Sequence, residues 1–227
     1  GDGVIIAAEG SNAVAKNVTA DKGKKQGSST VLVENAKLNV SGKGANERGG
    51  NLTITGDEIT LKGMNLIDAA GSTGGGTIHI GGEYQGKGTT ATARLLTVES
   101  GTRILADALD IGNGGNIILW SDDATAFYGA ISARGGAAGG NGGFVETSGH
   151  HFLNTKTSTV NLTAVNGNVG TWLLDPANIT IYNHAATGDG TNTYSATELE
   201  TMSVGANVSL LATNNITLDL TGETLDF

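Results

Sequence analysis

The sequence predicts an all-β protein, wound as a narrow three-sided solenoid. Three observations favour this class: short aliphatic runs, glycine-rich corners between them, and a nearly regular spacing of those corners. The clearest stretch is 113–149, where Ile117–Leu119, Ala130–Ala133 and Phe144–Val145 alternate with Gly-rich corners. The corners lie too close together for helices of ordinary length. The alternation of apolar and polar neighbours is typical of half-buried strands.

The corners recur with an approximate period. Gly50 and Gly76 are 26 residues apart and Gly115 and Gly143 are 28 apart, within the range of solenoid repeats. The interval from Gly76 to Gly115 is 39, because the polar segment Glu83–Ala93 interrupts it. We predict that this segment is an external loop, since insertions of that kind leave a stacked core intact.

The amino-acid composition agrees with a core made of thin, stacked coils. Of 227 residues 38% are hydrophobic but only 4% aromatic, and there are 37 glycines, so the core must be built from small aliphatic side chains. The chain has no cysteine, which excludes disulfides and thiolate metal sites. No apolar run is long enough to span a membrane. The first residues lack the features of a signal peptide, so we expect an internal fragment of a longer chain.

The charge is −9 overall and unevenly distributed. Residues 157–227 carry seven acidic and no basic side chains, and the main basic cluster is Lys22, Lys24 and Lys25, expected in a solvated loop. Nucleic-acid binding is therefore disfavoured, because it needs clustered cations.

Strands are predicted throughout, in one continuous segment covering 1–227. A coil of three strands is clearest at Asn51–Thr55, Ile59–Leu61 and Asn65–Asp68. Pro176 indicates a corner or strand edge. The C-terminal coils, 178–227, include a short helix near 195–202 that begins with a capping-box pattern. The other predicted strands are Val4–Ala7, Val14–Val18, Val31–Val33, Leu38–Val40, Ile78–Ile80, Leu95–Val98, Ile104–Leu105, His151–Leu153, Val160–Leu162, Asn207–Leu211 and Ile216–Leu220.

One group of residues raises an enzymatic alternative. Asp122 and Asp123, with His150 a coil later, are residue types found in polysaccharide-cleaving β-helix enzymes, where paired carboxylates act as acid and base. A third acid on the preceding coil and a downstream cation are missing, so we interpret this as an exposed corner. His79 should point outward from its strand, and His150-His151 is interpreted as a polar corner. No catalytic, cofactor or metal site is predicted.

Asn-x-Ser/Thr triplets are about twice as frequent as composition predicts. Their middle residue is always Val, Leu or Ile, so the Asn and the hydroxyl should both face outward, although strand alternation alone also produces this pattern. The candidate glycosylation sites are Asn17, Asn39, Asn51, Asn161, Asn178, Asn207 and Asn215.

Several ordered motifs between Gly74 and Ile181 resemble a known family. GGGTIHIGGEYQG, ADALDIGNGGNIILWSDDATAFYGAISARGG, GGNGGFVETSG and WLLDPANITI are similar to a block in filamentous-haemagglutinin-like large exoproteins, especially the high-molecular-weight adhesins. The resemblance implies a right-handed parallel β-helix, export by two-partner secretion through an outer-membrane partner, and a secreted or cell-surface location. Members of the adhesin group carry N-linked hexoses at such triplets.

We therefore expect a non-enzymatic adhesin segment, a virulence-type surface protein that contacts a host-cell glycan or protein receptor. The candidate contact surfaces are the acidic C-terminal portion and the inserted loop, in particular Glu83, Tyr84, Gln85 and Lys87. No cofactor is expected. The alternatives are a polysaccharide-cleaving β-helix enzyme and a structural spacer of a larger exoprotein.

Overall fold

The structure is a computed structural model that describes residues 5–9, 14–22, 29–183 and 191–219, with side chains from residue 29 onward. Lys24 and Lys25 lie outside the described residues, as does the side chain of Asn17. Helix α1 (Ala196–Ser203) is the one α-helix in these ranges. In chain order the strands are β1 (Ile5–Glu9), β2 (Val14–Lys22), β3 (Ser29–Asn39), β4 (Asn51–Thr55), β5 (Glu58–Lys62), β6 (Leu66–Asp68), β7 (Thr77–Ile80), β8 (Leu95–Val98), β9 (Arg103–Leu105), β10 (Asn116–Ser121), β11 (Ala124–Phe127), β12 (Ala130–Ser132), β13 (Phe144–Gly149), β14 (Phe152–Asn154), β15 (Thr159–Asn161), β16 (Thr171–Leu174), β17 (Asn178–Tyr182), β18 (Thr193–Ser195), β19 (Asn207–Leu210) and β20 (Asn215–Asp219).

Sheet A contains every third strand of the coil. Its order is β1-β4-β7-β10-β13-β16-β19, and from β4 onward every pair is parallel. Inward residues stack in one register: Leu52 pairs with Ile78, Ile78 with Ile117, and Ile117 with Val145. These partners are 26, 39 and 28 residues apart. The spacing predicted from the glycine corners is therefore the length of each coil.

The other two faces are formed by the remaining strands of each coil. β3 pairs in parallel with β5 through its first half and with β6 through its second half. From there β5-β8-β11-β14 form one column and β6-β9-β12-β15 form the other. The predicted all-β, parallel, three-sided β-helix is confirmed. β11 was not predicted, because its sequence, ATAF, is short and only weakly apolar.

The first two strands run against the direction of the others. β1 pairs antiparallel with β4, and β2 pairs antiparallel with β3. The sequence predicted opening strands here, Val4–Ala7 and Val14–Val18, but periodicity carries no information on strand direction. By pairing with the first parallel strands, they occupy edges that would otherwise be unpaired.

The glycine corners permit the coils to stack closely. A Cβ on Gly76 would lie 2.0 Å from the carbonyl oxygen of Gly50, and one on Gly115 would lie 2.1 Å from that of Gly76. Gly143 repeats the contact with Gly115 at 2.1 Å. No side chain fits at these distances, so the sequence requires glycine there.

The C-terminal coils depart from the regular pattern. β17 pairs with β18 and β20 in a separate three-stranded sheet, and α1 lies between β18 and β19. The predicted capping box is present: the Ser195 hydroxyl accepts from Glu198 N, and the Glu198 carboxylate accepts from Ser195 N. Pro176 lies at the corner between β16 and β17, as predicted.

Candidate functional site

The predicted insertion, residues 83–93, folds back across the outer face of sheet A. Its first residues form a single 3-10 turn, Tyr84–Gly86. The Tyr84 ring packs edge-to-face on Phe144 with centroids 5.8 Å apart. Gly86 lies so close to Trp120 that an added Cβ would be 2.5 Å from Cε2 of the indole. The loop therefore covers the sheet. The strands before and after it, β7 and β10, still pair in parallel with an unbroken register.

Under this loop the outer face of sheet A is apolar. Ile118, Trp120 and Leu173 point away from the core, yet they are only 0%, 6% and 5% exposed. A strand whose sheet is covered on both faces has a nearly continuous apolar sequence, because the side chains on both faces are buried. The run Ile117–Trp120 carried this signal. The sequence reasoning assigned the run to a half-buried strand and missed the covered face.

A carboxylate lies within this apolar face. Glu146 is fully buried and pairs in register with Ile118 on one side and Leu173 on the other. Its two carboxylate oxygens accept from Gln85 N at 3.2 and 3.1 Å, and one of them also accepts from Ser148 Oγ at 2.9 Å. Burial raises the pKa of Glu146 to about 7, and these hydrogen bonds only partly oppose it. Sequence reasoning did not single out Glu146.

A second acid lies beside the first. Asp175, about 9% exposed, accepts from Gln85 Nε2 at 3.2 Å, and Lys87 Nζ donates to Gln85 Oε1 at 2.7 Å. Burial raises the pKa of Asp175, while Gln85, His150 and Lys87 act in the opposite direction. Perturbed acids in one place are typical of functional sites.

Glu83 has a structural role inside the loop. Its carboxylate accepts from Thr90 N at 2.9 Å and from Thr90 Oγ1 at 2.5 Å, which lowers the pKa of Glu83. The predicted contact residues therefore differ in position: Tyr84 is about half exposed, whereas Gln85 is directed at the buried acids. Receptor contact by these residues stays a prediction.

His79 points outward, as predicted, between Thr53 and Ile118 in register. It is half-buried where a solvated position was expected. Burial lowers the pKa of His79, and nearby Glu83 partly opposes this.

The corner at Asp122 and Asp123 is built from satisfied polar groups. Asp122 accepts from Trp120 Nε1 at 3.1 Å and from Thr92 Oγ1 at 2.5 Å. The His151 ring is 3.7 Å from the Asp123 carboxylate and packs edge-to-face on His150. Within the described ranges, no three acidic or histidine side chains come together in a way that would hold a metal ion.

A shallow groove of about 480 Å³ follows the glycine corner over successive coils. Its floor is backbone, and Arg48, Asn113, Asn116 and Phe144 are among the side chains that line it. Asn113 Oδ1 accepts from the backbone N of Asn141, which fixes one wall. On the other wall Asn116 Oδ1 is buried and has no hydrogen-bond partner within the described part of the chain. This free acceptor is unusual, because buried polar atoms are nearly always paired.

The candidate glycosylation triplets mostly have the expected geometry. The middle residues Leu52, Leu162 and Ile179 are inward and at most 1% exposed. Ile216 differs, with 43% exposure, because β20 lies at the end of its sheet. Among the described asparagines of the set, Asn39 is half-buried. The exposed ones are Asn51, Asn161, Asn178, Asn207 and Asn215.

The chain is thus a parallel β-helix with a covered outer face, an acid pair and a corner groove. No family model and no curated protein matches it. None of the described helices is both long and apolar enough to cross a lipid bilayer.

Proposed function

We propose that this chain is a segment of a secreted bacterial surface adhesin, exported by two-partner secretion, which binds a host-cell glycan or protein. The motif resemblance between Gly74 and Ile181 supports the class. A solenoid also suits export, since each coil needs only its neighbour in order to fold.

The observation that carries the binding proposal is the free acceptor of Asn116 in the corner groove. A rotation of the Asn116 side chain that brings Oδ1 into the groove would let a hydroxyl or amide donor of a ligand pair with it. Phe144 beside it supplies an apolar ring, and Asn113 supplies a further polar wall. Amide side chains next to a half-buried ring suit a sugar chain, because each sugar presents hydroxyls at its rim and C–H groups on its face.

The test is binding of the purified chain to epithelial cells and to a glycan array. We expect retention on both for the wild type and a loss for Asn116→Ala. Thr97→Ala is the matched control, because Thr97 lies on β8, on a different face. Equal binding by both variants would exclude the groove as the binding site. No binding by the wild type would leave only the spacer role.

A second candidate, polysaccharide cleavage, is favoured by one observation, the raised pKa values of Glu146 and Asp175. The loop separates both acids from solvent in this conformation. Incubation with acidic polysaccharides should yield no new reducing ends. Turnover that disappears in Glu146→Gln would establish an enzyme and overturn the adhesin proposal.

Glycosylation is the remaining proposal. The exposed triplets present both the Asn amide and the hydroxyl, and Thr163 Oγ1 donates to Asn161 Oδ1 at 2.7 Å. Mass spectrometry of native material should find hexoses on exposed triplets first. Unmodified peptides for all seven would refute it.

A further inference from the structure

The cover over sheet A is attached by a small polar clip at Gln85. Its backbone N–H donates to Glu146, its side-chain Nε2 donates to Asp175, and its side-chain Oε1 accepts from Lys87 Nζ. Glu146 and Asp175 belong to different coils, so one loop residue bridges two layers of the stack. The clip therefore depends on the protonation state of two acids that the loop itself shields from water.

The loop adopts a specific backbone conformation where it contacts sheet A. Gln85 has φ +56, a left-handed conformation that residues other than glycine seldom adopt. Gly82 and Gly86 lie against the Trp120 ring, where any side chain would collide. The loop thus has a closed position with defined contacts. Partial displacement would break the Gln85 contacts and the indole packing together.

We propose that the loop is a proton-linked cover, closed over sheet A when Glu146 is protonated and open when Glu146 is ionised. An ionised carboxylate between Ile118 and Leu173 loses its hydration and receives only the donors of Gln85 and Ser148. Opening of the loop restores water to that carboxylate. A protonated carboxyl carries no such cost and still accepts from Gln85 N through one oxygen.

The neighbouring charges determine how strongly the cover responds. Asp175 opposes ionisation of Glu146, whereas Lys87 on the loop favours it. His150, after β13, favours ionisation of Asp175. On the strand side burial lowers the pKa of His79, and nearby Glu83 partly opposes this. Burial remains the largest cause of the raised pKa of Glu146.

The size of the response follows from linkage. Glu146 has a pKa of about 7 with the loop closed, and an ordinary value of 4.5 applies when the carboxylate is hydrated. The ratio of open to closed loop should therefore rise by at most roughly 300-fold between acidic and alkaline pH. Opening would uncover Trp120, Ile118 and both acids, an aromatic and acidic surface absent from the closed form.

Trp120 gives a direct readout, since it is the tryptophan beneath the loop, while Trp172 is 1% exposed in the core. We expect acrylamide quenching of the intact chain to rise between pH 5 and pH 8.5, with a midpoint at or below the closed-loop pKa of about 7. In Glu146→Gln, quenching should stay low and independent of pH. Glu34→Gln, an acid on β3, is the control and should titrate like the wild type. A flat wild-type curve, or a titration that persists in Glu146→Gln, would overturn the proposal.

Hydrogen exchange of the wild type tests the same point without a variant. After correction for intrinsic rates, residues 83–93 should lose protection between pH 6 and pH 8. The adjacent strand β8 should stay protected. Unchanged protection of the loop would contradict a proton-linked cover.

Discussion

Replacement of Glu146 by Gln should stabilise the protein above neutral pH. Gln has the same shape and carries no charge, and its carbonyl oxygen can still accept from Gln85 N. The substitution therefore removes the cost of a buried charge and keeps the principal hydrogen bond. At pH 4, below the ordinary pKa of 4.5, the carboxyl is mostly protonated in both the folded and the unfolded chain, so wild type and Glu146→Gln should have similar stability.

The magnitude follows from the difference in proton affinity between folded and unfolded chain. The folded pKa of Glu146 is about 7, above its ordinary 4.5, so the folded chain holds the proton more tightly. The wild type therefore loses stability as pH rises from 4.5 to 7, and the loss is complete above 7. At about 1.4 kcal/mol for each tenfold change in affinity, the free energy of unfolding falls by about 3 kcal/mol at most.

Urea denaturation at pH 4, 5, 6, 7 and 8 measures this difference. Subtracting the wild-type free energy of unfolding from that of Glu146→Gln at each pH removes the contributions of all other titrating groups. We expect a difference near zero at pH 4 that grows through pH 5 to a plateau at pH 8. A plateau well below the maximum would equal the free energy of loop opening, because opening relieves the buried charge. A difference that does not change with pH would refute the reasoning.

Three further substitutions test the framework. Gly115→Ala should cost about 3 kcal/mol or more, because its Cβ would meet the Gly76 carbonyl oxygen at 2.1 Å, whereas Gly44→Ala would meet only the Glu47 carboxyl and should be nearly neutral by thermal denaturation. Asp107→Ala removes the acceptor of Ser132 Oγ and Arg134 N and should cost about 1–3 kcal/mol in urea denaturation, and an unchanged midpoint would contradict it. Ser195→Ala should cost about 1 kcal/mol through loss of the α1 cap, with Thr197→Ala unchanged as its control.

The sequence was informative about the coil because its constraints are local and repeated. The corners at Gly76, Gly115 and Gly143 need glycine for the same steric reason, so these residues mark the coil length directly. The capping box at Ser195 is likewise a contact between residues three apart. Such features are visible in one sequence, since each depends on nearby residues or on a regular repeat.

The covered face was not predicted because its contacts are distant and irregular. Gln85 and Glu146 are 61 residues apart and belong to a loop and a strand with no shared period. The length of the insertion indicated an external loop, but not which way it folds. The apolar run Ile117–Trp120 indicated burial on both faces, and a loop that returns across a sheet explains it.

The position of Glu146 is difficult to explain by stability alone. Its partners in register, Ile118 and Leu173, are buried apolar side chains, and a carboxyl in such a column costs free energy whenever it is ionised. Ser148 and Gln85 satisfy the carboxylate only in part, since burial still raises its pKa to about 7. A side chain with no charge would hold the same loop more firmly at every pH above neutral. The acid instead makes closure of the loop depend on protonation, and it does so in the pH range where small changes in proton concentration shift its charge.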